Sequence, residues 1–295
     1  MANVNIQELL NNGVHFGHLT RKWNPNMAPY IYTERNGVHI IDLYKTAAKI
    51  EETSEALKKI ANSGRKILFV ATKKQAKDIV AEKAKAISMP YITERWPGGM
   101  LTNFVTIRKA VKKMAIIDRM KTDGSFDALS KREKLQINRQ REKLEKNLGS
   151  ISDMTRLPGA LFVVDIKKEH IAVAEAQKLN IPIFAMVDTN SDPRQVDYVI
   201  PANDDASKSI IVVLSFVTDA IADGLSERKA DKEKVKEAPK KEEVKVEARK
   251  AEVAAPEVEE AKVETPAKEE APKAKAPKKA KKKAEVAETP AEEKK

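Results

Sequence analysis

The sequence predicts an α/β fold: an open parallel sheet flanked by helices, with an inserted helical hairpin and a disordered C-terminal tail. Three observations predict it. Short apolar runs alternate with helical patterns between residues 66 and 223, a basic segment at 103–147 breaks that alternation, and residues 228–295 contain no glycine and no aromatic side chain. Strand, helix and strand in succession imply parallel pairing through right-handed crossovers, and a parallel sheet needs cover on both faces.

Residues 6–10 read as a short leading helix. Residues 30–33 and 38–41 form a hairpin-like entry around Glu34-Arg35-Asn36-Gly37, where Asn-Gly supplies the turn. Residues 42–62 are helical, with Gly64 as the cap. A buried strand at 66–71 precedes a helix at 74–86 that carries Ile79 and Val80 on one side. Residues 160–165 give a second strand, followed by a helix at 169–179 with Ile171, Ala172, Ala176 and Leu179 at helical spacing. Strands at 182–187 and 196–200 and an apolar helix at 207–223 close the domain. The sheet domain is therefore 1–102 together with 148–227.

The insert, 103–147, holds 13 basic and 6 acidic residues. Phe104, Ile107, Val111 and Met114 recur at 3-4-3 spacing, with Arg108, Lys109, Lys112 and Lys113 on the other face. After a turn at Thr122-Asp123-Gly124-Ser125, a second helix runs from Ser130 with Leu135, Leu144 and Leu148, and Ser130 and Glu133 have capping-box spacing. So thin an apolar stripe covers one partner only, which makes the insert an antiparallel hairpin and a basic arm. The whole chain carries +11, of which the tail supplies +4 and residues 1–227 supply +7; the insert alone accounts for that +7.

The tail, 228–295, is mostly Lys, Glu, Ala, Val and Pro, and buries too little apolar surface to offset the entropy of ordering. Its Lys278–Lys283 run can touch phosphates or simply keep the chain soluble. No cysteine is present, so thiolate zinc sites and cysteine nucleophiles are excluded. The longest apolar runs, at 160–164 and 210–214, are far shorter than the roughly 20 residues of a membrane span, so no membrane partner is expected. Nor does a charged-then-apolar leader open the chain, and a cytoplasmic setting is expected.

No dinucleotide fingerprint, phosphate-loop motif or nucleophile elbow occurs, and the four histidines and the carboxylates fall in no catalytic spacing. No enzyme activity, no small-molecule substrate and no required cofactor are expected. One donor set remains. His15 and His18 lie three apart, and Asp188, Asp204 and Asp205 fall where parallel strands deliver side chains to a crevice. His18, Asp188, Asp204 and Asp205 are the candidate ligands of a structural divalent metal, zinc or magnesium; alternatively the histidines hydrogen-bond backbone or RNA and hold a turn.

Two loops interleave bases with the only two tryptophans: Arg21-Lys22-Trp23-Asn24-Pro25, and the run from Arg95-Trp96 through Gly98-Gly99 to Asn103. Cationic groups meet phosphates, and an indole can stack on a base or pack in the core. Lys73 and Lys74, between a strand and a helix, can meet phosphate or lie on a solvated helix face. The candidate RNA-binding set is Arg21, Lys22, Trp23, Lys73, Lys74, Arg95, Trp96, Asn103, Arg108, Lys109, Lys112 and Lys113. Two rivals stand beside this reading: a nucleic-acid condenser working through the tail, and an enzyme with a closed pocket at the strand ends.

Blocks of residues resemble one family. Gly13-Val14-His15-Phe16-Gly17-His18, Arg21 with Trp23-Asn24-Pro25, residues 38–43, Arg95-Trp96 with 98–103, residues 157–165, 180–182, 187–193 and 200–206 occur in the order found in bacterial small-subunit ribosomal protein two. The likeness spans residues 6 to about 225 and leaves out the tail. It implies a flavodoxin-like sheet with an inserted coiled-coil hairpin and no catalytic residues. It further implies binding to small-subunit rRNA between head and body, contacts with other small-subunit proteins, docking of the mRNA-binding ribosomal protein one, and support of translation initiation.

Overall fold

The computed structural model describes residues 4–126 and 128–252, with side chains as far as Asp231. The compact unit ends at Glu242, and beyond it only helical backbone to Glu252 is described. In chain order the elements are α1 (Ile6–Asn11), β1 (Phe16–Leu19), β2 (Ile31–Arg35), β3 (Val38–Ile41), α2 (Leu43–Ser63), β4 (Ile67–Val70), α3 (Lys74–Ala86) and β5 (Tyr91–Ile92). There follow α4 (Phe104–Thr122), α5 (Lys131–Leu148), β6 (Ala160–Val164), α6 (His170–Lys178), β7 (Ile183–Val187), β8 (Tyr198–Pro201) and α7 (Ser207–Glu252).

The main sheet is parallel throughout, in the order β5-β4-β6-β7-β8. Counted along the chain this is 2-1-3-4-5, the doubly wound order whose switch point lies between the first and third strands, here β4 and β6. The inner strands are buried on both faces. Phe69, Phe162, Val164, Phe184 and Met186 point into a core shared with α2, α3 and α7. Their neighbours Leu68, Val70, Leu161, Val163 and Ala185 point into a second core, with α6, Trp96, Met100, Leu101 and the base of the α4–α5 pair. Period-two alternation thus serves two apolar layers at once, which is why these strands read as unbroken apolar runs.

The α/β assignment, the parallel order and the two covered faces agree with the sequence reading; several details do not. β5 has two residues and carries too little pattern to be seen in sequence. β1, where the sequence shows only a histidine-bearing turn, pairs antiparallel with β3 in a three-stranded sheet. The β2–β3 turn is tighter than expected: β2 runs through Arg35, leaving Asn36 at φ 54° and Gly37 at φ 73° as the two turn residues. Leu135 is off the helical seam and about half exposed, because the inward-facing line of α5 passes through Ile137, Arg141 and Leu144.

The boundary expected at 227 falls within α7, which continues through Pro239 to Glu252. Residues 253–295 of the expected tail, including the Lys278–Lys283 run, lie outside the described residues. α7 also departs from the hydropathy reading, since Ser207–Asp231 is long and apolar enough to cross a membrane. Contiguous apolar runs do not reveal it, because Ser215, Thr218 and Asp219 interrupt the pattern. Half of its most apolar window is buried, with Ile210, Val213, Leu214, Val217 and Ile221 in the first core, as expected of a core helix.

Candidate nucleic-acid interface

The basic arm is built by local rules. Ser130 caps α5: its Oγ accepts from the Glu133 amide at 3.4 Å, and the Glu133 carboxylate accepts in return from the Ser130 amide at 3.1 Å, completing the expected capping box. Phe104, Ile107, Ala110 and Val111 on α4 and Leu144 on α5 pack against the second core, while Arg141 joins the two helices through Asp118. Arg108, Lys109, Lys112 and Lys113 all lie exposed on the opposite face of α4, and none makes an ion pair among the described residues. That leaves four uncompensated cations within two turns of helix. Asn103 sits at the start of α4, exposed, with its Oδ1 accepting from Thr106 Oγ1 at 2.8 Å.

What aims this arm is a residue the sequence reading did not single out. Glu175 on α6 is buried, and its carboxylate accepts from Trp96 Nε1 at 3.1 Å, Gly99 N at 2.8 Å, Leu101 N at 2.9 Å, Thr102 N at 3.1 Å and Thr102 Oγ1 at 3.2 Å. Burial alone would raise its pKa, but the backbone amides of Thr102 and Leu101, then Trp96 and Gly99, outweigh burial and hold the carboxyl below its ordinary value. A signal for it existed: Glu175 lies three residues after Ala172 and four before Leu179, so it is a carboxylate on the apolar stripe of its helix. Within the clamped loop, Gly99 takes φ +81°, a conformation glycine adopts without strain.

The clamp settles the two roles of the second tryptophan-bearing loop. Trp96 is buried and tied to Glu175, so it is a core residue and cannot stack on a base, which corrects its place in the RNA-binding set. Arg95, one residue earlier, is exposed. In the first loop, Arg21, Lys22 and Trp23 are all exposed, and the Trp23 ring lies 5.0 Å from the His39 ring. Asn24 fastens that loop, since its amide donates to the Thr189 carbonyl at 2.8 Å.

The carboxylates at the strand ends form a separate cluster. Asp165 follows β6, Asp188 follows β7, and Asp204 and Asp205 follow β8, all at the same edge of the sheet. Lys73, following β4, reaches Asp204 Oδ1 at 2.7 Å, Asp205 Oδ1 at 2.7 Å and Asp165 Oδ2 at 3.6 Å. Burial opposes its charge, yet the hydrogen bonds to Asp204 and Asp205 prevail and raise its pKa. Lys73 is therefore committed to carboxylates and is not available to phosphate, which corrects the sequence expectation; Lys74, the next residue, is exposed.

His18 bridges the cluster, with Nδ1 2.9 Å from Asp188 Oδ2 and Nε2 3.3 Å from Asp205 Oδ2. The hydrogen bond with Asp188 raises its pKa against the opposing effect of burial. Burial, then the charges of Asp188 and Asp165, push Asp204 up to about 7 despite Lys73. The remaining oxygen of Asp204, Oδ2, is buried with no hydrogen-bond partner. Donor atoms of His18, Asp188 and Asp204 lie within 4.8 Å of one another. Gly17 allows this closeness: a Cβ there would stand 2.6 Å from Thr189 Cγ2, and Thr189 Oγ1 accepts from the His18 amide at 2.8 Å.

The fold is thus a parallel-sheet scaffold that carries an exposed cationic arm. Comparison with known proteins specifies the class. The profile of the family described as ribosomal protein S2 matches residues 9–224. A small ribosomal subunit protein uS2 from Flavobacterium johnsoniae is 79% identical over 234 residues, covering 79% of this chain and 92% of the relative. Another protein of that name, from Parabacteroides distasonis, is 67% identical over 245 residues, covering 82% and 88%. The chain belongs to the ribosomal protein S2 family, whose members are structural and not enzymes.

Glu175→Gln keeps the shape of the side chain but loses the charge that draws in the loop amides. Hydrogen bonds to a buried charged group are worth about 1.5–3 kcal/mol, so this variant is expected to lose roughly 2 kcal/mol at neutral pH in urea unfolding. Because the folded-state pKa of Glu175 is depressed, its contribution is present above the ordinary carboxyl pKa and fades as pH falls through the folded value. The gap between wild type and variant should accordingly narrow in acid; a constant gap would show that the charge does not hold the loop.

Proposed function

We propose that this protein is a structural constituent of the small ribosomal subunit that binds small-subunit rRNA through its exposed arm and loops. The observation that carries this reading is the row Arg108, Lys109, Lys112 and Lys113, exposed and without ion pairs among the described residues, on a helix whose other face is anchored in the core. Lysine and arginine in such a row neutralise phosphates and release counterions, so binding is salt-dependent and largely independent of sequence. Folded RNA is met through shape and backbone more than through base edges. Arg21, Lys22, Arg95 and Lys74 extend the cationic surface. The uS2 relatives support a place in the small subunit; within it, this reading puts the protein between head and body, in contact with neighbouring subunit proteins, where it docks the mRNA-binding ribosomal protein one in support of translation initiation. On this reading the protein is cytoplasmic and ribosome-associated.

The cluster at the strand ends has a different job. Four carboxylates face one lysine and one histidine, and the buried Asp204 Oδ2 has no hydrogen-bond partner among the described residues. A divalent metal, zinc or magnesium, fits this set, held by His18, Asp188 and Asp204 with Asp205 beside them. It would neutralise the buried negative charge and tie β1 to the strand ends, a structural role without chemistry.

Replacing Arg108, Lys109 and Lys112 by glutamate should leave the circular dichroism spectrum unchanged and weaken binding to small-subunit rRNA by about a hundredfold or more at moderate salt. The slope of log affinity against log salt should become shallower by about one for each phosphate that is no longer neutralised. Unchanged co-sedimentation with small subunits would contradict the reading. For the metal, the chelator-treated chain should take up a single equivalent of zinc or magnesium by calorimetry and Asp204→Asn should abolish uptake; no uptake by the wild type would leave the cluster a purely protonic network.

A further inference from the structure

With Trp96 buried, the surface that receives an RNA base on this side of the molecule lies elsewhere. Where the clamped loop meets the base of the arm there is an open cleft of about 520 Å³. Arg95 and Pro97 form one wall; Gln140, Lys143, Leu144 and Asn147 of α5 form the other. The α5 residues recur at 3-1-3 spacing and so share one helix face. Arg95 and Lys143 are exposed and make no ion pair among the described residues, and the amides of Gln140 and Asn147 have no hydrogen-bond partner among them. No carboxylate lines the cleft. Gly98, which also lines the cleft, faces open space: an added Cβ there would meet nothing within 4 Å.

We infer that this cleft takes a single unstacked nucleotide of the bound RNA. The chemistry is matched part by part. The aliphatic surfaces of Leu144 and the Pro97 ring pack against the face of a base, the two free side-chain amides offer donors and acceptors to its edge, and the two cations stand where its flanking phosphates would lie. The groove between α2 and α7 makes the contrast: it has an apolar floor at Ile50 and Phe216, but Glu51, Glu55, Asp219 and Asp223 line it against a single cation, Lys58, and a rim of net negative charge repels a polyanion. The wall carrying Arg95 is fixed in advance by Glu175, so little ordering is needed when the nucleotide enters.

This inference rests on the rRNA-binding reading above, and one experiment separates the two. A photoreactive benzoylphenylalanine is placed at Gln140 in one full-length chain and at Lys112 in another, each is assembled into small subunits, and cross-links are mapped by primer extension. The cleft predicts a cross-link from position 140 to one or two adjacent nucleotides in an unpaired loop or bulge. An RNA cross-link from 112 with none from 140, or one from 140 to a continuous duplex or to protein, overturns the cleft and leaves the RNA-binding reading intact. Absence of RNA cross-links from both positions overturns both. In parallel, Gln140→Leu should weaken rRNA binding about tenfold with an unchanged salt slope, whereas Lys143→Gln should flatten that slope by about one. A Gln140→Leu protein that binds like wild type also contradicts the inference.

Discussion

A carboxylate surrounded by amide donors is the point on which this architecture turns. Glu175 sits on a helix that covers the sheet, yet its five hydrogen bonds all reach into the loop that launches the arm. Removing the donors would leave a buried unpaired charge, and removing the carboxylate would leave several loop amides unsatisfied. Neither partner is stable alone. The loop is thereby locked to the sheet, and α4 begins shortly after Leu101 in a fixed direction. An arm that projects cations is useful to a large rigid polyanion only when it is aimed, because each contact then forms without further ordering cost.

Charge is also sorted by depth. Lys73, at the strand ends, is consumed by Asp165, Asp204 and Asp205, while Arg108, Lys109, Lys112 and Lys113 on the arm and Arg21, Lys22 and Arg95 on the two loops stay exposed. The edge where an α/β enzyme would bind its substrate is thus filled by its own ion pairs. The same scaffold that hosts catalysis elsewhere works here as a frame, and its exposed cations lie on the outer surface. The cluster draws β1 and its histidine against strand ends 170 and more residues away in sequence, so the antiparallel entry sheet is tied to the parallel one at that point.

The legibility of the fold follows from strength of pattern. Fully apolar strands such as β6 and β7 and the long helices α2 and α3 stand out because burial on two faces, or on one broad stripe, leaves a dense signal. β5 does not, since two residues carry no period, and Leu135 misleads because a leucine near a sparse seam looks like part of it. The carboxylates at the strand ends are readable from their position after apolar runs, and the structure brings His18, Asp188, Asp204 and Asp205 together. Lys73 and Trp96 deceive for one reason: residue type announces what a side chain can bind, while the partner that claims it, an aspartate far along the chain or a glutamate on α6, comes only with the tertiary fold. Glu175 lies open to detection as a charge on an apolar stripe.

The most direct test of the arm as the RNA-facing surface uses the absence of cysteine from the chain, which makes any introduced thiol unique. An iron chelate tethered to a cysteine at position 112 should, after assembly into small subunits, generate strong hydroxyl-radical cuts in the surrounding rRNA, while the same tether at Glu51, on the acidic groove, should give weak cuts or none. Strong cutting from position 51 and silence from 112 would contradict the account, because the basic arm would then face away from the RNA it is held to meet.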